Sequence, residues 1–401
     1  MSRRQLLAGG AAAAAAVGAA RIASAGGAAP EPTRGGEGGT ILGPRNEPLE
    51  RENPDALAPP ASDAGDLPNL KFSFADAHTR LSDGGWARQV TVDELPIATA
   101  LAGVDMRLEP GAIRELHWHA QSEWALMLAG GAQITAIDDQ GRNFIANVSE
   151  GDLWFFPEGF PHSIQALDKG CEFLLVFDSG SFSEFDTFLI CDWFDHTPRD
   201  VLAKNFSLPQ STFAHVPPES ERYIFPGKAP TSDKGVSSPN GSVPDSYAYH
   251  LMNQKPIGCP GGRVRIVDSS NFKASKTIAA ALVEIDPGAM RELHWHPTAD
   301  EWQYYISGQA RMTAFAANGQ ANTFDYQAGD VGYVPFPMGH YIENTGNTTV
   351  RFLEMFRSNR FESVSLMQWM ALTPPDLVSA HLDIAAKTIS KLPKRAQLVV
   401  R

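Results

Sequence analysis

The six residues RELHWH stand at 114–119 and again at 291–296, and they include side chains that bind metal ions. In a β-strand, residues i and i+2 point to the same face some ~7 Å apart, so His117 and His119 can converge on one ion. His294 and His296 repeat this arrangement. The spacing therefore predicts two metal sites, each starting from a His-x-His pair on a strand.

A carboxylate and a third histidine follow each pair. The glutamate comes four or five residues later, and the third histidine lies 45 or 46 residues after the first. The two predicted ligand sets are His117, His119, Glu123 and His162 in the first half, and His294, His296, Glu301 and His340 in the second. These sets take six of the chain's eleven histidines, which is improbable for core histidines that only satisfy hydrogen bonds. Four N/O ligands on an octahedral ion leave two positions open, unlike a closed structural zinc site.

The ligand types leave the identity of the metal open. Imidazole and carboxylate without thiolate suit Mn(II) or Fe(II), whereas the general order of affinity favours zinc or copper. Cys171, Cys191 and Cys259 lie at no ligand spacing, and an odd number of cysteines does not indicate a disulfide framework. We expect them to be buried or free thiols.

Arg114 and Arg291 each stand three residues before a His-x-His pair. A guanidinium group binds a carboxylate through two parallel hydrogen bonds, so these arginines are candidates for gripping a small acidic substrate. On a regular strand, however, Arg114 faces away from His117, and turning it toward the metal requires a bend or bulge near Gly111. Without that bend, Arg114 forms a structural ion pair with a nearby acid.

The repeated motif belongs to a repeat of the whole unit. At an offset near 177, LEPGAIRELHWH matches IDPGAMRELHWH and GDLWFFPEGFPHSI matches GDVGYVPFPMGHYI. Short apolar stretches separated by Gly, Pro, Asn and Asp turns indicate β-strands, and many such strands indicate a sandwich or small barrel. We predict two copies of an all-β jelly roll, each closed by a short helical piece such as TPPDLVSAHLDIAAK.

The two copies differ beside the predicted sites. Fifteen residues separate Phe177 from Trp193, but only twelve separate the matching Phe356 from Trp369. The longer loop, 179–187, contains Glu184, which on a mobile lid could act as general acid or base, or could simply be a solvated surface residue. A further difference lies in the strand that precedes the loop in each half. The second half has Glu354 at the position where the first half has Leu175. The two sites are therefore chemically distinct.

The remaining segments and the charge limit the classes of partner. Residues 1–25 carry the twin arginines Arg3 and Arg4, an Ala-rich run and an Ala-Ser-Ala cleavage site, which predicts an export signal of the twin-arginine type and a periplasmic or extracellular location. Residues 26–70 are predicted to be an extended arm, 71–230 the first β-unit, and 231–401 the second. With 46 acidic against 33 basic residues, neither nucleic acid nor an anionic membrane is an expected partner.

Together, the paired RELHWH motifs, GDLWFFPEGFPHSIQAL, FKASKTIAAALV and DEWQYYISGQARMT closely resemble the bicupin oxalate decarboxylases over roughly residues 40–390. The resemblance implies two tandem cupin domains, each binding one manganese ion through its three histidines and one glutamate. It also implies that oxalate is converted to formate and CO2 with dioxygen as co-catalyst, that Arg114 grips the substrate, and that Glu184 exchanges the proton. Arg291 and Glu354 are the corresponding candidates at the second site.

The lid and the neighbouring aromatic residues leave alternatives. The family's lid typically reads Ser-Glu-Asn-Ser/Thr-Thr; Ser183, Glu184 and Thr187 agree with it, while Phe185 and Asp186 depart. An oxalate oxidase on the same scaffold, which releases hydrogen peroxide, is therefore the nearest alternative, and a non-catalytic storage bicupin is a remote one. A metal dioxygenase for a larger substrate is disfavoured if the aromatic residues near the ligands crowd the pocket: Trp118, Trp124, Trp154 and Phe156. By resemblance, the chain is expected to form a homotrimer or homohexamer.

Overall fold

The computed structural model of the chain describes residues 43–217, 222–232 and 235–401. The predicted export signal at 1–25 and the start of the predicted arm, 26–42, lie outside these residues. From residue 47, the arm contains two short helices rather than extended chain only, because the Asn46 side chain accepts a hydrogen bond from the Leu49 amide and Pro48 stands in the first turn. They are α1 (Glu47–Glu52) and α2 (Pro54–Leu57).

The first half continues as a run of strands with two helices near its end. These elements are β1 (Lys71–Ser73), β2 (Thr79–Ser82), β3 (Gly85–Val90), β4 (Ala102–Leu108), β5 (Ile113–Trp118), β6 (Glu123–Ile137), β7 (Asn143–Ser149), β8 (Leu153–Phe156), β9 (His162–Phe177), β10 (Phe188–Leu189), α3 (Ile190–Asp195), α4 (Arg199–Phe206), β11 (Ile224–Phe225) and β12 (Ala248–Tyr249).

The second half repeats this order. Its elements are β13 (Ile257–Cys259), β14 (Gly262–Val267), β15 (Ala279–Ile285), β16 (Met290–Trp295), β17 (Glu301–Ser307), β18 (Gln309–Ala316), β19 (Gln320–Gln327), β20 (Asp330–Val334), β21 (Gly339–Asn344), β22 (Val350–Phe356), β23 (Val364–Ser365), α5 (Leu366–Leu372), α6 (Pro375–Leu382), α7 (Ala386–Ile389) and β24 (Val399–Val400). Short 3-10 turns include Glu184–Asp186 in the lid loop.

Both units are antiparallel and their sheets do not close into hydrogen-bonded rings. In the second unit, one sheet runs β1-β20-β17-β22-β15-β14-β13 and the other β19-β18-β21-β16-β23, with β24 also on β16. In the first unit, the long strands β6 and β9 pass from one layer to the other. The eleven strands β2 to β12 therefore form one bent sheet. The predicted all-β class with two tandem units is confirmed.

Glycines allow these long strands to bend. Gly130 in β6 and Gly170 in β9 have φ near +73° and +74°, a region that side-chain-bearing residues avoid. A Cβ on Gly130 would lie 2.1 Å from the Gly170 carbonyl oxygen, so the two backbones approach too closely for any other residue. In the second unit the matching turn at Gly308 separates β17 from β18.

Each unit contributes one strand to a sheet of the other unit. β1 pairs with β20 of the second unit, with Lys71 opposite Gly332, and β12 pairs with β8 of the first unit, with Ala248 opposite Trp154. Residues 71–73, assigned from the sequence to the first unit, thus extend a sheet of the second unit. Residues 248–249, assigned to the second unit, extend the sheet of the first. The exchange is symmetrical because the two strands stand at equivalent positions of the repeat.

The two units also share a hydrophobic core. One buried cluster includes Val104 and Met106 of β4 together with Trp302 of β17 and Met355 of β22. Trp302 lies directly over Gly103, where a Cβ would stand 2.5 Å from its indole ring. Burial of apolar surface therefore stabilises both the single units and their packing on each other. No helix within the described residues is long and apolar enough to span a membrane.

Candidate metal centres

The structure brings each predicted ligand set together inside its unit. The potential ligand atoms of His117, His119, Glu123 and His162 lie within 4.8 Å of one another, and the same holds for His294, His296, Glu301 and His340. All eight side chains are buried. Their elements are equivalent: the first histidine of each set lies on β5 or β16, the glutamate begins β6 or β17, and the third histidine lies on β9 or β21.

The imidazole rings are oriented for metal binding through Nε2. In all six histidines Nδ1 lies 2.6–3.1 Å from a backbone carbonyl oxygen, for example that of Glu115 for His117 and that of Phe160 for His162. An Nδ1–H that donates to a carbonyl fixes the tautomer with a free Nε2 lone pair. The Nε2 of His294 is buried and, among the described residues, has no hydrogen-bond partner. These residues therefore fit a divalent ion.

The charges of the site also suit a cation. Burial, with the neighbouring Arg114 and the other imidazoles, holds the pKa of His117 well below its usual value, so the ring is a neutral ligand. Burial alone would raise the pKa of Glu123, but His162 and His119 outweigh it and hold that pKa below the usual range. An ionised carboxylate beside neutral imidazoles is the protonation state that a metal requires.

A β-bulge places Arg114 on the same side as the ligands. Arg114 pairs with Ile164 and His117 with His162, so three residue steps on β5 match two on β9. The same irregularity separates Arg291 from His294 on β16. The bend that the sequence required is therefore present, but it lies between Arg114 and His117 rather than near Gly111, because the extra residue is accommodated in the ladder itself.

The first site contains a small group of polar residues around Arg114. Its guanidinium is 2 % exposed and lies 3.6 Å from a carboxylate oxygen of Glu184. It also lies over the ring of Tyr223, 4.2 Å from the ring centroid. Tyr223 donates a hydrogen bond from its hydroxyl to Glu184. Sequence reasoning missed Tyr223, since it stands outside the repeated motifs and more than 100 residues from Arg114.

The lid loop is folded over this group with Glu184 inward. Glu184 is 6 % exposed, and its amide donates to the Gln89 side chain at 3.3 Å. The Ser183 hydroxyl accepts from the amide of Phe185. Phe182 stacks on Phe177 and meets the ring of His119 edge-on at 5.9 Å. The glutamate is therefore not the solvated surface residue that the sequence also allowed.

At the second site, the described residues form no such group, because its arginine is already paired. Arg291 Nε donates to Glu354 at 2.8 Å, and both side chains are almost completely buried. Arg291 also donates to the carbonyl of Leu398. Its guanidinium is thus committed to a carboxylate of the protein. The first repeat has Leu175 in place of Glu354, which leaves Arg114 available.

The aromatic residues near the first site divide into two groups. Phe156 stacks on His162 at 4.4 Å, and Trp154 donates to Glu123 at 3.0 Å, so both lie against the ligands. Trp124 is fully buried in the shared core. Trp118, the last residue of β5, stands between His117 and His119 in the chain and stacks on Phe188 instead, so it does not crowd the pocket.

Comparison with known proteins places both units in one family. The cupin family model matches residues 73–213 and 249–390. The chain is 56% identical over 374 residues to the oxalate decarboxylase OxdC of Bacillus subtilis, covering 93% of this chain and 97% of the relative. It is 42% identical to a probable oxalate decarboxylase of Arthroderma benhamiae, covering 94% of each.

Solved structures agree with this result. A structure of the Bacillus subtilis enzyme concerned with its Mn(II) centres superposes with a TM-score of 0.89 at 55% identity, covering 93% of this chain and 99% of the other. A structure of that enzyme at pH 4.6 gives the same TM-score at 56% identity, with coverage of 92% and 97%.

Proposed function

The chain belongs to the cupin family and, within it, to the oxalate decarboxylases, and from that membership we infer that it converts oxalate to formate and CO2. Each of its two ligand sets, made of three histidines and one glutamate, holds one Mn(II) ion. When bound, manganese together with dioxygen supplies the one-electron chemistry that makes the C–C bond of oxalate breakable. The substrate is a small dicarboxylate, and the binding and proton steps are the work of the chain's own residues.

We assign these steps to the first site. One observation carries the assignment: Glu184 lies inside the pocket, within 3.6 Å of an arginine that no other carboxylate of the described residues engages at this distance. The fork of Arg114 suits a substrate carboxylate, which would displace Glu184 from it. Tyr223, whose hydroxyl donates to Glu184, orients the carboxyl group that then faces the substrate.

Glu184 accounts for the proton balance of the reaction. As a base it removes the proton of the bound oxalate monoanion when the substrate is oxidised, and the radical then loses CO2. As an acid it returns that proton to the carbon of the remaining one-carbon fragment when the electron comes back. The closed lid excludes water during this interval. If the proton is not delivered, the fragment is oxidised to a second CO2 and peroxide forms, which is the oxidase outcome.

A product assay tests the assignment of the reaction. The manganese-loaded protein is incubated with oxalate under air at mildly acidic pH, and formate and hydrogen peroxide are quantified together. We expect nearly stoichiometric formate with little peroxide. Peroxide with little formate would show that Phe185 and Asp186 have changed the lid into that of an oxidase.

Replacement of the lid acid tests its role. Glu184→Ala is expected to abolish formate production while leaving the manganese content unchanged, because the Glu184 carboxylate is not one of the eight ligands and lies against Arg114 and Tyr223. Formate release and metal content by mass spectrometry are the measurements. Asp195→Ala, which removes an exposed carboxylate from α3, is the matched control. Undiminished formate release from the Glu184 variant would contradict the assignment.

We propose that the protein is exported in a folded, metal-loaded state. The support is the sequence at 1–25, in which Arg3 and Arg4 precede an Ala-rich run and an Ala-Ser-Ala site. Export after folding suits a chain that acquires its metal inside the cell. The mature N-terminus of exported protein, determined by mass spectrometry, is expected to lie after residue 25.

We also propose that the chain forms a homotrimer or homohexamer. In support, each repeat exposes apolar side chains at equivalent positions: Trp193 is 64 % and Trp369 59 % exposed, and Leu116 is 50 % and Leu293 47 % exposed. Matching apolar side chains on the two repeats suit contacts between copies in a closed ring. Light scattering coupled to size-exclusion chromatography gives the mass directly, and a monomer would contradict the proposal.

A further inference from the structure

Arg80 on β2 contacts both the lid, at Phe185, and Tyr223 of the first site. Its guanidinium carbon lies 3.5 Å from the ring centroid of Tyr223 and 4.9 Å from that of Phe185. Its Nη1 is buried and, within the described chain, has no hydrogen-bond partner. A buried guanidinium nitrogen without an acceptor is unfavourable, and the contacts of the guanidinium with the two aromatic faces offset part of this cost.

The two aromatic residues differ in how firmly they are held. Tyr223 is 2 % exposed and directly precedes β11; its carbonyl accepts hydrogen bonds from the Glu115 amide and from Arg114, so it is held against β5. Phe185 is 73 % exposed and lies at the tip of the lid turn. Its ring therefore packs on little else, and lid opening would separate it from Arg80.

We propose that Arg80 is a positioning residue. It forms a clasp with Phe185 and Tyr223, in which its guanidinium contacts both rings and so holds the lid closed with Glu184 in the pocket. Phe185 is the neighbour of Glu184 in the chain, so holding one fixes the other. Because Tyr223 also donates to Glu184, the same ring anchors both the lid's tip and its carboxyl group. The proposal rests on the role assigned to Glu184 above and identifies what keeps that residue in place.

Two single variants remove the clasp from opposite sides. Arg80→Gln removes the cation but keeps a polar side chain, and Phe185→Leu removes the aromatic face at an exposed position where folding is not at risk. Loss of one cation–π contact should raise the population of the open lid by roughly two- to ten-fold. We expect the ratio of peroxide to formate to rise by a similar factor in each variant. Arg80→Lys, which keeps the charge, should restore most of the wild-type ratio.

The combination of the two changes tests whether the residues act together. If Arg80 and Phe185 form one clasp, the double variant should be no more affected than either single variant. Arg222→Gln is the matched control, since Arg222 stands next to Tyr223 in the chain but lies over Phe225, 4.7 Å from that ring, and not over the lid. Its product ratio should equal that of the wild type.

Hydrogen exchange of the lid provides a readout that does not depend on catalysis. Faster exchange of the peptide covering 179–187 is expected in Arg80→Gln and Phe185→Leu, without substrate, and not in Arg222→Gln. Unchanged lid exchange in both clasp variants would overturn the proposal, as would an effect of Arg80→Gln that Phe185→Leu does not share. A wild-type protein that makes no formate would instead overturn the proposed function, and lid exchange would still decide the clasp.

Discussion

Arg114 and Arg291 show that two identical residues in identical motifs can have different chemistry. Both are buried on a bulged strand three residues before a His-x-His pair. Arg291 is paired with Glu354 at 2.8 Å, whereas among the described residues the carboxylate within reach of Arg114 is that of the lid, at 3.6 Å. A partner on a strand is permanent, but a partner on a lid can give way to a substrate. The difference between Leu175 and Glu354 therefore decides whether the arginine of each site is already paired by its own sheet.

Arg114→Lys keeps the charge but loses the planar fork, and its shorter head group leaves the face of Tyr223. We expect kcat/KM for formate production to fall by at least about ten-fold, because the substrate carboxylate is no longer held by two parallel hydrogen bonds. Steady-state kinetics at constant manganese content measure the effect. An unchanged kcat/KM would return Arg114 to a structural role.

Glu354→Leu introduces the residue of the first repeat into the second and leaves Arg291 as an unpaired buried charge. Breaking such a pair typically costs about 3–5 kcal/mol, so the Tm should fall clearly. Adding Arg291→Met to the variant should recover much of the loss, since the uncompensated charge is gone. Arg351→Gln, which removes a more exposed partner of Glu284, is the control and should change Tm little.

At the level of elements, the sequence predicted the strands that carry ligands but not the positions of their irregularities. His-x-His and the repeated Gly/Pro turns are local signals, so the strands and the tandem units followed from them. The bulge between Arg114 and His117 depends on pairing with β9, and no residue of β5 alone specifies it. Tyr223 and Arg80 reach the site through contacts between distant segments, which leave no spacing signal in the sequence.

The glycines where β6 and β9 cross from one layer to the other provide a prediction at this scale. Gly130→Ala places a Cβ 2.1 Å from the Gly170 carbonyl oxygen in addition to forcing alanine to a φ of +73°. Gly319→Ala meets nothing within 4 Å at a φ of +69° and isolates the backbone cost of about 1–2 kcal/mol. The Gly130 variant should lose roughly 1–3 kcal/mol more, measured by chemical denaturation. Equal losses would mean that the crossing strands can move apart.

On the scale of the whole molecule, the two units share one large buried cluster, and a second cluster consists mainly of residues of the second unit. The buried cluster that contains Val104 of the first unit contains Trp302 and Met355 of the second. A polar group also lies close to this interface. Asp105 on β4 is buried, and its Oδ1 has no hydrogen-bond partner among the described residues. Burial and then the charge of Asp105 raise the pKa of Tyr304, which belongs to the other unit. The stability of the shared core therefore depends on pH.

Burial, reinforced by Glu172 and only partly offset by Arg88, raises the pKa of Asp105 to about 7. The folded protein thus keeps this proton after the unfolded chain, with a pKa near 3.8, has lost it. Stability should fall as the pH rises from about 4 to 7, and Asp105→Asn should abolish that component. We expect the variant's Tm to exceed the wild type's at pH 8 and the difference to shrink at pH 4. A constant difference across this range would contradict the shifted pKa.

The exchange of β1 and β12 has a consequence for the order in which the chain is made. β1 leaves the ribosome early, but its partner β20 ends at Val334, so β1 stays unpaired until the second unit has been made. The first unit in turn lacks its edge strand until residue 249 has emerged. A gene cut near residue 235, between β11 and β12, would therefore not yield two autonomous halves. Each fragment would carry a strand that belongs to the other, and the two would complete their sheets only by reassociating.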